Sequence, residues 1–485
     1  LIPHKPLFMD YIFIILFVLC ALLLSLATAG HALLHKRDSR SALGWLSISL
    51  TLPLLGPFLY WCLGVNRISR RARRWQESGR RLSESELHPF DEQLGAAPTL
   101  PQAAAHLDDL RVLADRVVQT RLLGGNRITP LFNGEEAYPA MLSAIRRAEG
   151  NINLCSYIFD ADGIGAEFVS HLSDAARRGV EVRIIIDALG EKYSRRSPRT
   201  ALAGSKVRLV RYLPLRHGAY INLRNHRKLL IIDGREAFTG GMNIRSRHQP
   251  SSTDKAIAIH DMHFSVQGPV VADLQRTFLE DWHFVTGERL DAPSFFPALE
   301  PMGAALARSI SDGPDKDFRK LEHIMMGALS CAKRSVRIMT PYFIPDRPMI
   351  AALITTALRG VDVRIILPGL NNLPFIHWAT RGLLWELLAN GIRVFYQPPP
   401  FAHTKLFLVD DVWSLVGSAN LDPRSLRLNF ELDLSVFEEE FAERLNRHFE
   451  QTFEASREVT QEELDKRSLP TMLRDNCARL FSPYL

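Results

Sequence analysis

The sequence predicts an α/β protein made of two related α/β/α sandwich halves that form one bilobal unit, preceded by an N-terminal helical hairpin. Three observations carry this. A rare pattern occurs twice: His226-Arg-Lys228-Leu-Leu-Ile-Ile-Asp233 then Gly240-Gly241-Met-Asn243, and His403-Thr-Lys405-Leu-Phe-Leu-Val-Asp410 then Gly417-Ser418-Ala-Asn420. The phrase Ala-Arg-Arg-Gly-Val-Glu-Val-Arg-Ile-Ile-Ile at 176–186 returns as Ala-Leu-Arg-Gly-Val-Asp-Val-Arg-Ile-Ile-Leu at 357–367. Tyr11–Ala29 and Ala42–Val65 are charge-free runs, each long enough to cross a bilayer as a helix.

The elements follow in order. Residues 1–75 read as a transmembrane hairpin with a basic juxtamembrane segment. A second span follows the first at once, which favours a hairpin over a cleaved signal, and Pro53, Gly56 and Pro57 kink or interrupt that second span. The loop carries Lys36, Arg37 and Arg40, whereas Lys5 and the arginines at 67, 70, 71, 73, 74, 80 and 81 lie on the other side. The positive-inside tendency then puts the N-terminus and everything after residue 66 in the cytoplasm, with the arginines against anionic lipid.

Residues 76–104 read as a linker, 105–286 as the first half, 287–316 (Pro293, Pro297, Pro301, Pro314) as a second linker, 317–456 as the second half, and 457–485 as a C-terminal tail. Within each half an apolar strand (Ile152–Phe159; Val336–Ile344) leads to a helix that a glycine ends, followed by a buried β-branched strand. Val207–Val210 and Ile392–Tyr396 read as further strands. The His/Lys motif follows, then Asp261–Val266 or Glu431–Val436, then an amphipathic helix (Val270–Val285; Glu439–Phe453). That order argues for an α/β unit present twice. The tail's Leu473, Leu480, Phe481 and Leu485 suit either a membrane surface or the core.

Composition is that of a globular protein with a hydrophobic addition, 46% apolar and 23% charged, and the net charge of +6 suits anionic partners, lipid or nucleic acid. Cys20, Cys62, Cys155, Cys331 and Cys477 are scattered, with no disulfide framework and no zinc spacing, as in a reduced compartment.

In a strand, residues two apart share a face, so His226 projects with Lys228 and His403 with Lys405. Asp233 and Asp410 lie roughly 23 Å further along an extended chain, too far to share the histidines' target. With Gly234 and Asp411 they read as hairpin turns, a structural role. The returning strand carries the structural Gly240, Gly241, Gly417 and Ser418, and brings Asn243 and Asn420 back to the His/Lys end. Two lysines, two asparagines and backbone amides make a pocket of donors for a phosphoryl group. The sequence holds no His-Glu-x-x-His, P-loop or clustered aspartates, so no metal and no cofactor is expected. Phosphoryl chemistry then needs a nucleophile and a proton donor, which two histidines supply. Each histidine needs its far ring nitrogen held by an acceptor, and Asp261 and Glu431, at equivalent places in the repeat, are the candidates.

These residues resemble the phospholipase D superfamily, whose hallmark is two such motifs meeting at one site. The likeness spans 125–455. Within it the chain is most similar to bacterial cardiolipin synthases, through the hairpin with Arg37-Asp-Ser-Arg-Ser-Ala42 in its loop, Ser156-Tyr-Ile-Phe-Asp160, Thr340-Pro-Tyr-Phe-Ile-Pro-Asp346, Ser418-Ala-Asn-Leu-Asp-Pro-Arg-Ser425, Asn429-Phe-Glu431 and the ending Arg479–Leu485. The resemblance implies a phosphatidyltransferase that joins two phosphatidylglycerols into cardiolipin and glycerol through a phosphatidyl-histidine. By analogy His226 is the nucleophile and His403 the acid/base, with Lys228, Lys405, Asn243 and Asn420 on the phosphoryl oxygens. It implies phospholipid substrates, an anionic membrane surface and a multi-pass place in the cell's inner or plasma membrane, with no nucleic acid. Whether the chain forms a homo-oligomer is left open. The stretch Ile244–His248 is more basic than the family pattern, and His260 precedes the aligned acid, so the choice of acceptor is open. A hydrolase, a transferase using phosphatidylethanolamine or another alcohol, and a phosphodiesterase or nuclease would share the same catalytic residues.

Overall fold

The computed structural model describes residues 7–36, 38–64, 98–118, 120–213, 223–290, 292–314 and 317–482. The basic run from Arg67 to Arg81, most of the 76–104 linker and the last three residues lie outside them. The chain divides into two units, Leu1–Arg74 and Trp75–Leu485.

In the first unit a single helix, Leu7–His35, is followed by Ser39–Thr51, whose first turn is capped by the Asp38 carboxylate (Arg40 N–H, 3.0 Å). Among the described residues only the first helix is long and apolar enough to cross a membrane. The second apolar run, expected to be another span, is broken at 52–54, where Pro53 cannot donate to the helix ladder. It resumes as Leu55–Leu59 and one π-turn, Tyr60–Gly64. The broken segment folds back along the first helix: Ser25 Oγ donates to the Pro53 carbonyl (3.0 Å), Trp61 Nε1 to Thr28 Oγ1 (3.3 Å), and His31 Nδ1 meets Tyr60 Oη (2.7 Å). Gly64 therefore returns to the end where His35 lies, and the hairpin of two spans becomes one span with a re-entrant segment.

Among the described residues the second unit holds a 16-stranded sheet and a small two-stranded one. Its first half supplies β1 (Leu123–Phe132), β2 (Asn151–Ser156), β3 (Glu181–Asp187), β4 (Arg208–Tyr212), β5 (Arg224–Asn225), β6 (Leu229–Ile232), β7 (Glu236–Gly240) and β9 (Met262–Gln267), with β8 (Ile259–His260) beside it. The second half supplies β10 (Ala305–Asp312), β11 (Ser335–Met339), β12 (Asp362–Pro368), β13 (Arg393–Gln397), β15 (Leu406–Val409), β16 (Trp413–Gly417), β17 (Asn429–Phe437) and β18 (Arg457–Val459), with β14 (Phe401–Ala402) beside it. The order β1-β9-β7-β6-β2-β3-β4 is repeated as β10-β17-β16-β15-β11-β12-β13. The two series meet where β1 and β10 pair antiparallel (Asn126 opposite Ala305).

Each half is an α/β/α sandwich. Ile152 and Leu154 of β2 pack into a core with helices Asn133–Arg147 and Ile164–Arg177, while Asn153 faces the opposite side and donates to Gln275 (3.2 Å) on helix Val271–Thr286. Likewise Val336 and Ile338 of β11 pack with helices Lys320–Cys331 and Arg347–Leu358, while Arg337 faces Glu450 (3.4 Å) on helix Glu439–Glu454. Gly179 and Gly360, just past a helix in each half, take φ of +99° and +88°, the conformation that lets the chain turn into the next strand.

The expected linker 287–316 needs correcting, because it contains β10, a sheet strand paired on both sides. The tail adds β18 at the sheet edge and helices Gln461–Asp465 and Leu469–Leu480. The last helix lies on Pro374–Arg381, burying Asp475 and Ala478 and leaving Leu469, Leu473, Leu480 and Phe481 exposed.

Candidate active site

Both motif hairpins turn through two successive residues of positive φ, Asp233-Gly234 (+52°, +64°) and Asp410-Asp411 (+56°, +57°). The Asp233 carboxylate accepts the N–H groups of Glu149, Gly150 and Asn151 at 2.7–2.9 Å. Asp410 accepts those of Lys333, Arg334 and Ser335 at 2.7–2.8 Å, and also meets His106 Nε2 at 2.7 Å. Each aspartate therefore ties its hairpin to the strand entering the core, far from the histidines. At the other end Leu229 pairs with Thr239 and Leu406 with Val416, so Gly240 and Gly417 arrive opposite Lys228 and Lys405.

The glycines are needed for close approach. A Cβ on Gly241 would stand 2.3 Å from Asp261 Oδ1, and one on Gly417 2.3 Å from Asp433 Oδ1. The two asparagines follow. Asn243 Oδ1 accepts the Ile158 N–H (3.0 Å), and Asn420 Nδ2 donates to Ser425 Oγ (3.1 Å) while its buried Oδ1 has no partner.

The histidines are joined to acids of the opposite half. His226 Nδ1 lies 2.9 and 3.0 Å from the two oxygens of Glu431, and His403 Nδ1 lies 2.7 Å from Asp261 Oδ2. Two short parallel bridges make the crossing. β5 pairs with the start of β17, and the His226 N–H donates to the Phe430 carbonyl (2.9 Å); β14 pairs with β8, and the His403 N–H donates to the His260 carbonyl (2.7 Å). A histidine and the acid beside it thus come from different halves, and the centre exists only when both are present.

Lys228 Nζ donates to the His226 carbonyl (2.5 Å), and Lys405 Nζ to the His403 carbonyl (2.5 Å), with Nζ also 2.9 Å from His403 Nδ1. All of these groups are buried. Burial lowers Lys228 to about 7, opposed by Glu431 and reinforced by Lys405. Burial and Lys405 lower His403 to about 4, and burial also lowers His226 against the pull of Glu431. Burial pushes Asp261 upward, but Lys405 and His403 outweigh it and hold the carboxylate well below its usual range. The net arrangement is two histidines neutral at pH 7 with Nε2 turned from their acids, above two ionised carboxylates.

Several contributors lay outside the expected set. Tyr157 and Tyr342 set aromatic edges against His226 and His403 (ring centroids 5.1 and 6.2 Å), and both stand in the strand-end phrases of the sequence. Asn429 Nδ2 donates to Glu431 (3.0 Å) and Arg227 Nε to the Glu431 carbonyl (3.2 Å). Ser418, expected to be structural, donates to Glu431 Oε2 (2.5 Å). His248 is buried with its Nδ1 3.9 Å from Asp261, at the place in the repeat that Ser425 occupies in the other half. His260 faces Asn133 Oδ1 (3.3 Å) and contributes through its backbone.

A duplicated sandwich with two His/Lys/Asn sets meeting across one seam defines a phospholipase D-like protein. The model of the family described as "Cardiolipin synthase, PLD-like domain" matches residues 141–282 and 325–453, and the chain belongs to that family. It is 31% identical over 458 residues to "Cardiolipin synthase 2" of Bacillus anthracis, covering 93% of this chain and 88% of that protein. It is also 31% identical to "Major cardiolipin synthase ClsA" of Bacillus subtilis, covering 93% and 95%. Among solved structures, phosphatidylserine synthase of Haemophilus influenzae shares the fold, with a TM-score of 0.61 at 14% identity over 78% of this chain and all of that one.

Proposed function

We propose that the protein is a membrane-bound cardiolipin synthase that transfers a phosphatidyl group from one phosphatidylglycerol to another. The observation that carries this is the crossed pair of histidines, each backed by a carboxylate of the opposite half and flanked by a buried lysine, in a chain similar along almost its whole length to cardiolipin synthases.

In the first step His226 Nε2 attacks the donor phosphorus, and the bond from phosphorus to the headgroup glycerol oxygen breaks. His403, which takes up a proton as the anionic phosphodiester enters beside it, gives that proton to the oxygen and glycerol leaves. In the second step neutral His403 takes the proton from a headgroup hydroxyl of the acceptor. The alkoxide attacks phosphorus, the phosphorus–nitrogen bond breaks, and cardiolipin leaves with both histidines restored. Glu431 steadies the positive charge that His226 gains on attack, and Asp261 does the same for His403. Lys228, Lys405 and the side-chain amides of Asn243 and Asn420 hold the phosphoryl oxygens as charge builds on them. Exchange of one phosphodiester for another requires no nucleotide. Exclusion of water from the phosphatidyl-histidine separates a synthase from a lipase.

Among the described residues, the helix Leu7–His35 serves as the membrane span. With Gly64 returned to the His35 end, Lys36, Arg37, Arg40 and the arginines from 67 onward share one side, and the positive-inside tendency makes that side cytoplasmic. The catalytic unit follows on that side, in the inner or plasma membrane, and the N-terminus lies on the other.

The test uses purified full-length protein in micelles containing only phosphatidylglycerol, without added metal or nucleotide. Cardiolipin and glycerol are expected in equal amounts, and neither in His226→Ala or His403→Ala. Phosphatidic acid in place of cardiolipin would make the protein a hydrolase. Turnover only after phosphatidylethanolamine is added would change the substrate pair but keep the chemistry.

A further inference from the structure

A second cavity lies at the carboxyl ends of β12 and β13, at the same end of the sheet as the start of β15, which His403 precedes. Its volume is about 460 Å³, and Leu370, His377, Arg381, Tyr396, Gln397 and Arg457 line it, within the roughly 300–1,000 Å³ range of small-molecule sites. Tyr396 is 8% exposed, yet its buried hydroxyl has no hydrogen-bond partner, and neither has the buried Gln397 Oε1. Buried polar atoms without partners are uncommon in a native fold.

The surroundings are positive. The fully buried Asp475 carboxylate receives Arg381 (2.7 Å), Arg467 (3.0 Å) and Arg474 (3.0 Å), so three guanidiniums share one negative charge. Glu463 also lines the cavity and neutralises Arg457, so the excess comes from the Asp475 cluster. The margin is apolar: Leu370 lines the cavity, Leu373 and Phe375 follow it in the chain towards the lining His377, and these three and Phe481, whose ring lies 5.7 Å from that of Phe375, are all exposed.

We propose that this cavity is an accessory anionic-phospholipid site, with the phosphate on the Arg381 side at Tyr396 and the acyl chains along the Leu370–Phe375 and Phe481 rim. A polar cavity with an unpartnered Tyr396 hydroxyl to donate, positive charge and an exposed apolar margin matches the two ends of one lipid, whereas a soluble phosphate leaves the rim unexplained. The site reaches the catalytic centre by two routes. Its wall at Gln397–Pro399 runs through β14 to His403, and Asn372 on its rim loop accepts the Tyr342 hydroxyl (3.0 Å), whose ring faces His403. A lipid held there is kept beside the reacting histidine and raises the local supply of substrate. The inference rests on the lipid-transfer reading but concerns different residues.

The experiment is native mass spectrometry of the full-length protein from detergent micelles doped with phosphatidic acid, which has no headgroup alcohol to release. Cardiolipin synthesis is measured on the same samples. Wild type is expected to retain phosphatidic acid in preference to phosphatidylcholine, and retention to fall about tenfold in Tyr396→Phe and in Leu373→Asp. Equal retention in wild type and both variants overturns the site. Release of the lipid by glycerol 3-phosphate overturns the lipid assignment in favour of a soluble phosphate. Tyr396-dependent retention in a protein that makes no cardiolipin keeps the site and removes the reaction; synthesis without such retention does the reverse.

Discussion

Glu431 and Asp261 occupy the same place in the repeat and do the same thing to a histidine across the seam, but they are held differently. Glu431 receives Ser418 Oγ (2.5 Å) and Asn429 Nδ2 (3.0 Å) besides His226. Asp261 receives its neighbour's N–H from Met262 (2.8 Å), with His248 at 3.9 Å, besides His403. The reason lies one residue past the shared glycine. Ser418 reaches Glu431 with a hydroxyl, whereas Gly241 leaves bare space that the shorter Asp261 fills. Duplication has preserved the geometry of the pair and let its electrostatics drift apart. More of the Glu431 charge is shared with fixed neutral donors, and more of the Asp261 charge is left for its histidine.

The comparison can be broken at its root by removing the histidines. His226→Ala and His403→Ala should each lower kcat by about 10⁴-fold or more, and the double variant hardly further, because the two act as a unit. Near-additive losses would mean two independent sites.

A sharper cut is Glu431→Gln against Asp261→Asn. Each should lower kcat by roughly 10²–10³-fold through loss of the charge behind an imidazolium. The Asp261 change should be the more damaging, since fewer other donors share that carboxylate. Equal losses would show the difference in support to be without effect.

Next in size is the pH profile. Lys228, lowered to about 7, must be protonated to hold a phosphoryl oxygen, so kcat/KM should fall as pH rises through about 7. His226 must be unprotonated to attack phosphorus, and burial lowers it, so kcat/KM should also fall at acid pH once His226 gains a proton. In Lys228→Arg the alkaline limb should vanish, because arginine does not titrate in this range. A limb unchanged in that variant would assign it to another group.

The smallest effect is expected from Ser418→Ala, about tenfold in kcat, for one hydrogen bond to a buried carboxylate. In the other half Gly241→Ala places a Cβ on Asp261 and should cost more, despite adding only a methyl group. Kinetics of the two variants side by side would reverse or uphold that order.

The motif residues were legible in the sequence because strand alternation, hairpin chemistry and the Gly/Asn offsets are local signals. The same holds for Asp233 and Asp410, where a turn residue and its spacing point to a structural tie. What could not be read was the crossing. It depends on two bridges of two residues each, β5 with β17 and β14 with β8, that join segments far apart in the chain. β1 and β10 were hidden for a different reason. Gly124, Gly125 and Asn126 in one, and Ala305, Ala307, Arg308 and Ser309 in the other, lack a β-branched run, and pairing on both sides makes them strands. The second hydrophobic run passed a test of composition but failed one of continuity at Pro53. Ser418 and His248 were both on view, yet only the fold shows which acid each one meets.

The seam has a consequence for ancestry. A single ancestral half, carrying one histidine and one acid that cannot reach each other, is complementary to a second copy of itself. Two copies related by a two-fold axis would pair edge strand to edge strand, as β1 and β10 do, and complete two histidine–acid pairs at once. Joining the copies into one polypeptide removes the dependence on concentration that such a dimer would have. It also frees each copy from having to match itself. An Asp can then face a Glu, a glycine a serine and a histidine a serine across the axis, so a symmetric centre becomes able to give its two histidines different work.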